Sequence, residues 1–271
     1  DNVTIAISTG NLTGTTTVAA VGGVATFSGL GKNGTVGSKR LTFTSGSLTE
    51  ATQDFTLTFG TATKLGLTTN AAGLNSGSIF STQPIVKIQD ADGNTVTNSS
   101  ATVDVAQSAG VLSGTSTMNA ASGVANFDGK NLKLTGTSNT SYTLTFTSTG
   151  LTDATQTFTL DAGAAHHLAI IAAPTSAQNR IDFGTQPIIE VQDVSNNPVP
   201  NSGITIEIST TALTLDGTTS LAANASTGRA IFSGLSLRGL IGSQPTLRFA
   251  DSNPSGLATL TQAVTVTHGT A

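Results

Sequence analysis

Three stretches of this 271-residue chain repeat one another, and that internal repetition constrains the fold more than any other feature. Residues 24–30 read VATFSGL, residues 124–130 read VANFDGK and residues 229–235 read RAIFSGL. Just downstream, RLTFTSGSLTEATQDFTLTFGTATKL from Arg40 returns as YTLTFTSTGLTDATQTFTLDAGAAHHL from Tyr142, and a weaker copy runs from Pro245 to the end. Upstream, TQPIVKIQDADGNTV from Thr82 matches TQPIIEVQDVSNNPV from Thr185. Gly60, Gly163 and Gly269 mark a period of roughly 100 to 106 residues, the size of one small domain and too long for a solenoid repeat. The chain therefore divides into three units, 1–60, 61–163 and 164–271.

Within each unit apolar residues alternate with polar ones, the pattern of strands with one buried face, and helical periodicity is nowhere sustained. In the middle unit strands are predicted near residues 64–69, 85–90, 101–106, 114–118, 123–128, 142–148 and 154–160. Seven short strands separated by turn-forming residues predict an all-β chain of tandem immunoglobulin-like β-sandwiches. The inward positions are Val86, Ile88, Val103, Val105, Phe127, Leu144, Phe146, Phe158 and Leu160. Their counterparts are apolar too: Ile5 and Ile7 with Ile206 and Ile208, Phe27 with Phe232, and Leu41 and Phe43 with Leu247 and Phe249.

The same alignment sets Ile5 and Ile7 level with Val103 and Val105. The first unit is thus expected to be truncated, lacking roughly forty residues and its first two strands. A sandwich without two strands exposes core face and an unpaired edge. The expectation is that the missing strands come from upstream polypeptide or from another subunit by strand complementation, with Ile5 and Ile7 in the assembly region. At the other end, Gly269, Thr270 and Ala271 stand where GTATKL and GAAHHL open a new unit.

The string that recurs here is Lys64-Leu65, Gln83-Pro84, residues 86–96 (VKIQDADGNTV), residues 114–117 (GTST), residues 123–127 (GVANF) and residues 151–158 (LTDATQTF). It resembles the bacterial immunoglobulin-like repeats, a broad group that includes the invasin and intimin type and tandem arrays in large secreted proteins. The resemblance covers nearly the whole chain and implies an immunoglobulin-like fold at the cell surface or outside the cell. Members serve as stalks, adhesins, surface-layer or fibre subunits and spacers beside catalytic domains, so fold alone selects none of these. The third unit departs from the pattern at residues 193–197, where DVSNN replaces DADGN, and around residues 252–256.

Composition narrows the chemistry. Only 10% of residues are charged and 4% aromatic, and threonine makes up nearly a fifth of the chain. Eleven Lys and Arg against fifteen Asp and Glu, with one Tyr and no Trp, leave no basic track for phosphates and no platforms for bases, so no nucleic-acid partner is expected. There is no Cys for a disulfide or a thiolate zinc site. The apolar run at residues 168–173 is about a third of the roughly 18 residues a membrane-spanning helix needs.

Asp90, Asp92 and Asn94 space three oxygen ligands as the start of a calcium loop does, but position twelve is Ala101 and the third unit keeps only the first carboxylate. A tight turn, with Gly93 supplying positive φ, is the expected role. His166 and His167 are expected on opposite faces of an extended interdomain strand, unable to hold one ion together. Neither a Ser-His-Asp arrangement with a G-x-S-x-G elbow nor a phosphate-binding glycine loop is present, so no catalytic residue and no cofactor is predicted. Six Asn-x-Ser/Thr sequons begin at Asn2, Asn11, Asn33, Asn98, Asn139 and Asn224, as a chain this rich in these residues produces by chance.

The function expected is structural: a non-catalytic, extracellular array whose short links hold its sandwiches as a semi-rigid rod in a fibre, sheath, surface layer or stalk. Its expected partners are other copies of the same or a similar chain. The alternatives are an adhesin for a glycan or host protein, and a spacer attached to a secreted enzyme.

Overall fold

A computed structural model describes residues 1–211, 213–252 and 256–268, and these contain strands and turns but no helix. Among the described residues no helix is long and apolar enough to cross a membrane. The sequence features around residues 253–255 and at Gly269 lie outside the described residues.

The first unit contains β1 (Asn2–Ile7), β2 (Asn11–Thr13), β3 (Thr17–Ala19), β4 (Gly31–Asn33), β5 (Gly37–Thr44) and β6 (Ala51–Leu57). The second contains β7 (Lys64–Thr69), β8 (Ile85–Gln89), β9 (Thr102–Gln107), β10 (Val111–Ser113) and β11 (Thr117–Asn119). It continues with β12 (Val124–Asn126), β13 (Lys133–Thr135), β14 (Thr140–Thr147) and β15 (Ala154–Leu160). The third begins with β16 (His167–Ala172), β17 (Ser176–Gln178), β18 (Ile188–Gln192), β19 (Thr205–Thr210), β20 (Thr214–Asp216) and β21 (Ser220–Ala222). It ends with β22 (Arg229–Ile231), β23 (Ser236–Arg238), β24 (Thr246–Asp251), β25 (Leu260–Ala263) and β26 (Thr265–Thr267).

The second and third units are two-layered immunoglobulin-like sandwiches. In the second, a four-stranded sheet of order β11-β9-β14-β15 faces a three-stranded sheet of order β12-β8-β7. Side chains from both layers form one core: Val86 and Ile88, Val103 and Val105, Leu144 and Phe146, with Phe127 packed against Phe146 at 6.2 Å between ring centres. The third unit repeats this with β21-β19-β24-β25 over β16-β18-β22 and a core that includes Ile189, Ile206, Phe232 and Phe249. Phe158 is the one predicted inward residue of the middle unit that stays half-buried, stacked on Tyr142, its cross-strand partner on β14.

The Gln-Pro pair that recurs in the sequence has a structural purpose. Buried Gln83 donates its amide to the carbonyls of Phe80 (3.1 Å) and Leu132 (3.2 Å) and accepts from the Leu132 N–H (3.1 Å). Gln186 does the same between Phe183 and Leu235. Each staple pins the segment that enters the three-stranded sheet to the segment that delivers two buried leucines, Leu132 and Leu134 or Leu235 and Leu237.

One expected element needs correction, and one pair of strands has no counterpart in the sequence pattern. The strand predicted at 114–118 begins only at Thr117, because Gly114 turns at φ +99° against the backbone of Asn131. The pair β10–β13 was not predicted at all, since two strands of three residues carry too few alternations to register.

The first unit has a single layer with the order β3-β1-β5-β6, plus the pair β2–β4. Among the described residues it has no counterpart of the sheet β12-β8-β7. Phe27 and Phe43 still pack at 6.1 Å, as Phe127 and Phe146 do, yet both are only half-buried and so is Leu41. A cavity of about 390 Å³ opens on this face between Ile5, Leu12, Leu30, Leu41 and Phe55.

Candidate functional site

The most specific polar chemistry lies where one unit meets the next, and it is built twice from the same residue types. In the first junction Asp90 directly follows β8 and Asn94 closes the turn it opens. Asp90 Oδ1 accepts from the Asn94 N–H (2.8 Å), and Oδ2 accepts from the Asn94 side-chain amide (2.9 Å) and from the Gly60 N–H in the link (2.8 Å). Asn94 then reaches into the preceding unit: its Oδ1 accepts from the Val36 N–H (2.9 Å) and its Nδ2 donates to the Gly34 carbonyl (2.9 Å).

The second junction copies the first bond for bond. Asp193 accepts from the Asn197 N–H (2.9 Å), the Asn197 side-chain amide (2.8 Å) and the Gly163 N–H (2.8 Å). Asn197 accepts from the Ser138 N–H (2.8 Å) and donates to the Gly136 carbonyl (2.9 Å). One primary amide thus mates with a carbonyl and an N–H two residues apart, as a neighbouring strand would. Positive φ at Gly93 (+85°) and Asn196 (+63°) shapes both turns, which is why DADGN and DVSNN are equivalent here.

The junctions differ behind the loop. The Gly34 N–H donates to Asp92 Oδ2 (2.9 Å) of the next unit. The Gly136 N–H instead donates to Ser76 Oγ (3.2 Å) of its own unit, which contacts Ser195 Oγ across the junction at 3.1 Å. Both loops are also held from below: the Tyr142 hydroxyl accepts from the Thr137 N–H (2.8 Å), and buried Lys39, at the equivalent position, donates to Thr9 Oγ1 (2.7 Å) and Thr35 Oγ1 (3.4 Å). The links are packed as well, with Phe59 and Ala62 against the second core and Ala162 and Ala165 against the third.

Burial pushes the Asp90 carboxyl up, but the N–H of Gly60 and both amides of Asn94 outweigh it and hold the group below the usual carboxylate value of 3.8. Asp193 is likewise raised by burial and lowered further by Asn197, Gly163 and Ser195, ending below the same value. Both are carboxylates at neutral pH, acting as fixed acceptors that orient the Asn side chain.

Asp90, Asp92 and Asn94, the residues expected as a turn or as calcium ligands, do converge. The oxygens that hold the junction together face N–H donors: both of Asp90, one of Asp92 and the one of Asn94. Among the described residues no group of three or more His, Asp or Glu side chains is gathered for a metal ion. Ile5 and Ile7 lie on β1, where both pair with β5, at Phe43 and Leu41. On its other side β1 registers with β3 only over Asn2, Val3 and Thr4, and the Ile5 N–H reaches the Thr16 carbonyl at 2.8 Å. Ile5 lines the open cavity.

The histidine expectation fails. His167 opens β16 but His166 precedes it, so strand alternation does not separate them, and their Nδ1 atoms lie 3.2 Å apart. Gln192 Nε2 donates to Glu190 (2.7 Å), leaving Gln192 Oε1 to accept from His167 Nε2 (3.1 Å). His167 Nδ1 is then the acceptor and His166 Nδ1 the donor. Glu190, buried, is paired in turn with Arg229 at 2.6 Å.

Against known proteins, no family model matches the chain, and no curated protein does. Among solved structures it is similar to the Escherichia coli adhesin FdeC, at 13% identity over 96% of this chain and 85% of that one, with a TM-score of 0.42. It is also similar to the Yersinia pseudotuberculosis adhesin InvE, at 18% identity over 74% and 58% of the two chains, TM-score 0.29. A third similarity is to the S-layer protein rSbsC, at 10% identity over 99% of this chain and 35% of that one, TM-score 0.35.

Proposed function

We propose that this chain is a non-catalytic structural protein of the cell surface, a tandem immunoglobulin-like segment of an extracellular fibre, sheath, surface layer or stalk. The observation that carries the reading is the repeated junction. Two successive links, in units of diverged sequence, keep the same Asp-x-x-x-Asn lock between the same three parts: link glycine, preceding loop and following turn. A lock of this kind fixes the angle between neighbours, which is what a load-bearing array requires and what freely jointed domains lack.

In this reading the open face of the first unit is an assembly surface that takes a strand pair from upstream polypeptide or from another subunit. Supporting it, residues 24–27 correspond to β12, whose partner β8 registers Val124 with Lys87 and Asn126 with Ile85. In the first unit that segment has no such partner among the described residues, and Val24 is 64% exposed.

Electron microscopy of the native material tests the proposal. Regular fibres or a lattice are expected; isolated flexible rods point to a spacer, and specific signals on a glycan array point to an adhesin. Deleting residues 1–60 is expected to abolish end-to-end assembly, and fibres from the deleted form would remove strand complementation from the account.

A further inference from the structure

The third unit carries the same loop that seats the next unit at both internal junctions. Residues 239–241 follow β23 as residues 34–36 follow β4 and residues 136–138 follow β13. The loop conformation is shared: the Gly242 N–H donates to the Val266 carbonyl at 2.8 Å, as the equivalent Asn139 N–H donates to the Leu160 carbonyl at 2.8 Å. Both residues have positive φ, +81° and +56°. Gly239 is held from behind by Asn179, whose Oδ1 accepts its N–H at 3.1 Å, as Ser76 holds Gly136.

The two groups that would receive an Asn side chain stand open. Among the described residues the Gly239 carbonyl accepts no hydrogen bond and the Ile241 N–H donates none. Their equivalents, the carbonyls of Gly34 and Gly136 and the N–H groups of Val36 and Ser138, are all engaged by the next unit. Leu240, where the other loops have Thr35 and Thr137, is 81% exposed beside them.

We propose that residues 239–241 are a seat for the Asp-x-x-x-Asn turn of a further immunoglobulin-like unit, joined to this one in the same polypeptide. The inference rests on the junction reading above and extends it to a third position. The covalent source follows from the lock itself, because the Asp of each turn also needs the N–H of the glycine in the link, thirty residues before it. Gly269 holds the sequence position of Gly60 and Gly163. A free second copy has no turn to offer, since its own two are already seated within the chain at high effective concentration.

The test extends residues 1–269 by a second copy of residues 164–268, which brings an Asp thirty residues after the glycine, and follows amide hydrogen exchange by NMR. Exchange at Ile241 is expected to slow by about tenfold or more, as for an exposed amide gaining one hydrogen bond in a packed junction. Asn197→Ala in the appended copy is expected to restore the original rate. Extension with residues 61–162, which bring Asp90 and Asn94, should protect Ile241 equally and covers failure of the first extension to fold.

Unchanged exchange at Ile241 in both extended chains, with Val36 and Ser138 protected, overturns the seat while leaving the internal junctions standing. If Val36 and Ser138 exchange as fast as Ile241 in the 271-residue chain, the junction reading itself falls. Protection of Ile241 that rises with the concentration of the unextended chain would make a second copy the occupant and overturn the assignment to a continuous unit.

Discussion

Asn94 and Asn197 each commit a whole side-chain amide to holding two units together, a donor-and-acceptor pairing that only Gln shares, on a side chain one methylene longer. An Asp at position 94 would turn an oxygen toward the Gly34 carbonyl and toward the Asp90 carboxylate, leaving acceptors facing acceptors. Asn94→Asp is therefore expected to release the first junction, read as faster exchange at the Val36 amide, with the second core unaffected. Core residues show a matching contrast. Phe127 and Phe27 are equivalents, one fully buried and the other half-exposed on the open layer. Phe127→Ala is expected to cost about 3–5 kcal/mol, seen as lost exchange protection along β14. Phe27→Ala should cost under about half of that, since less apolar area leaves water there. The inward positions of the long strands were legible from alternation alone; Leu132 and Leu134 were not, because β13 is too short to carry a pattern.

At the scale of elements, β7 and β15 were readable to the residue, while the turn after β8 was readable only as a turn. Its wider role escaped because the partners of Asn94 are main-chain groups 58 and 60 residues upstream, and a backbone N–H or carbonyl leaves no mark on side-chain sequence. The available signal was Asp and Asn kept four positions apart in both turns, with each Asp thirty residues after a glycine. Because Asp90 and Asp193 titrate lower in the folded chain than in the unfolded one, their contribution is present at neutral pH. It is lost only as pH falls below the ordinary value of 3.8 and through the lowered one. Interdomain mobility, measured by NMR relaxation, is expected to be flat from about pH 5 to 8 and to rise in stronger acid. Gly163→Ala should loosen the second junction at any pH, since a Cβ there runs into the Ser76 carbonyl oxygen.

Across the whole molecule, stability and geometry divide between two kinds of interaction. Each complete sandwich closes its own core, and the polar locks set how one sandwich stands on the next. The oxygens of the Asp90 turn that make the lock face N–H groups, so calcium or a chelator is expected to leave the melting temperature of the chain unchanged. A calcium-dependent rise would show that the turn exchanges its N–H partners for the ion. The sequence by itself determined the repeat, its period, the all-β class and most of the buried face, because alternation and repetition are properties of side chains in order along the chain. Only the tertiary structure decided what the repeated turns do, which faces of the first unit are left open and that His166 and His167 meet. These depend on backbone groups from distant segments arriving at hydrogen-bonding distance, and that arrival is set by the packing of whole layers.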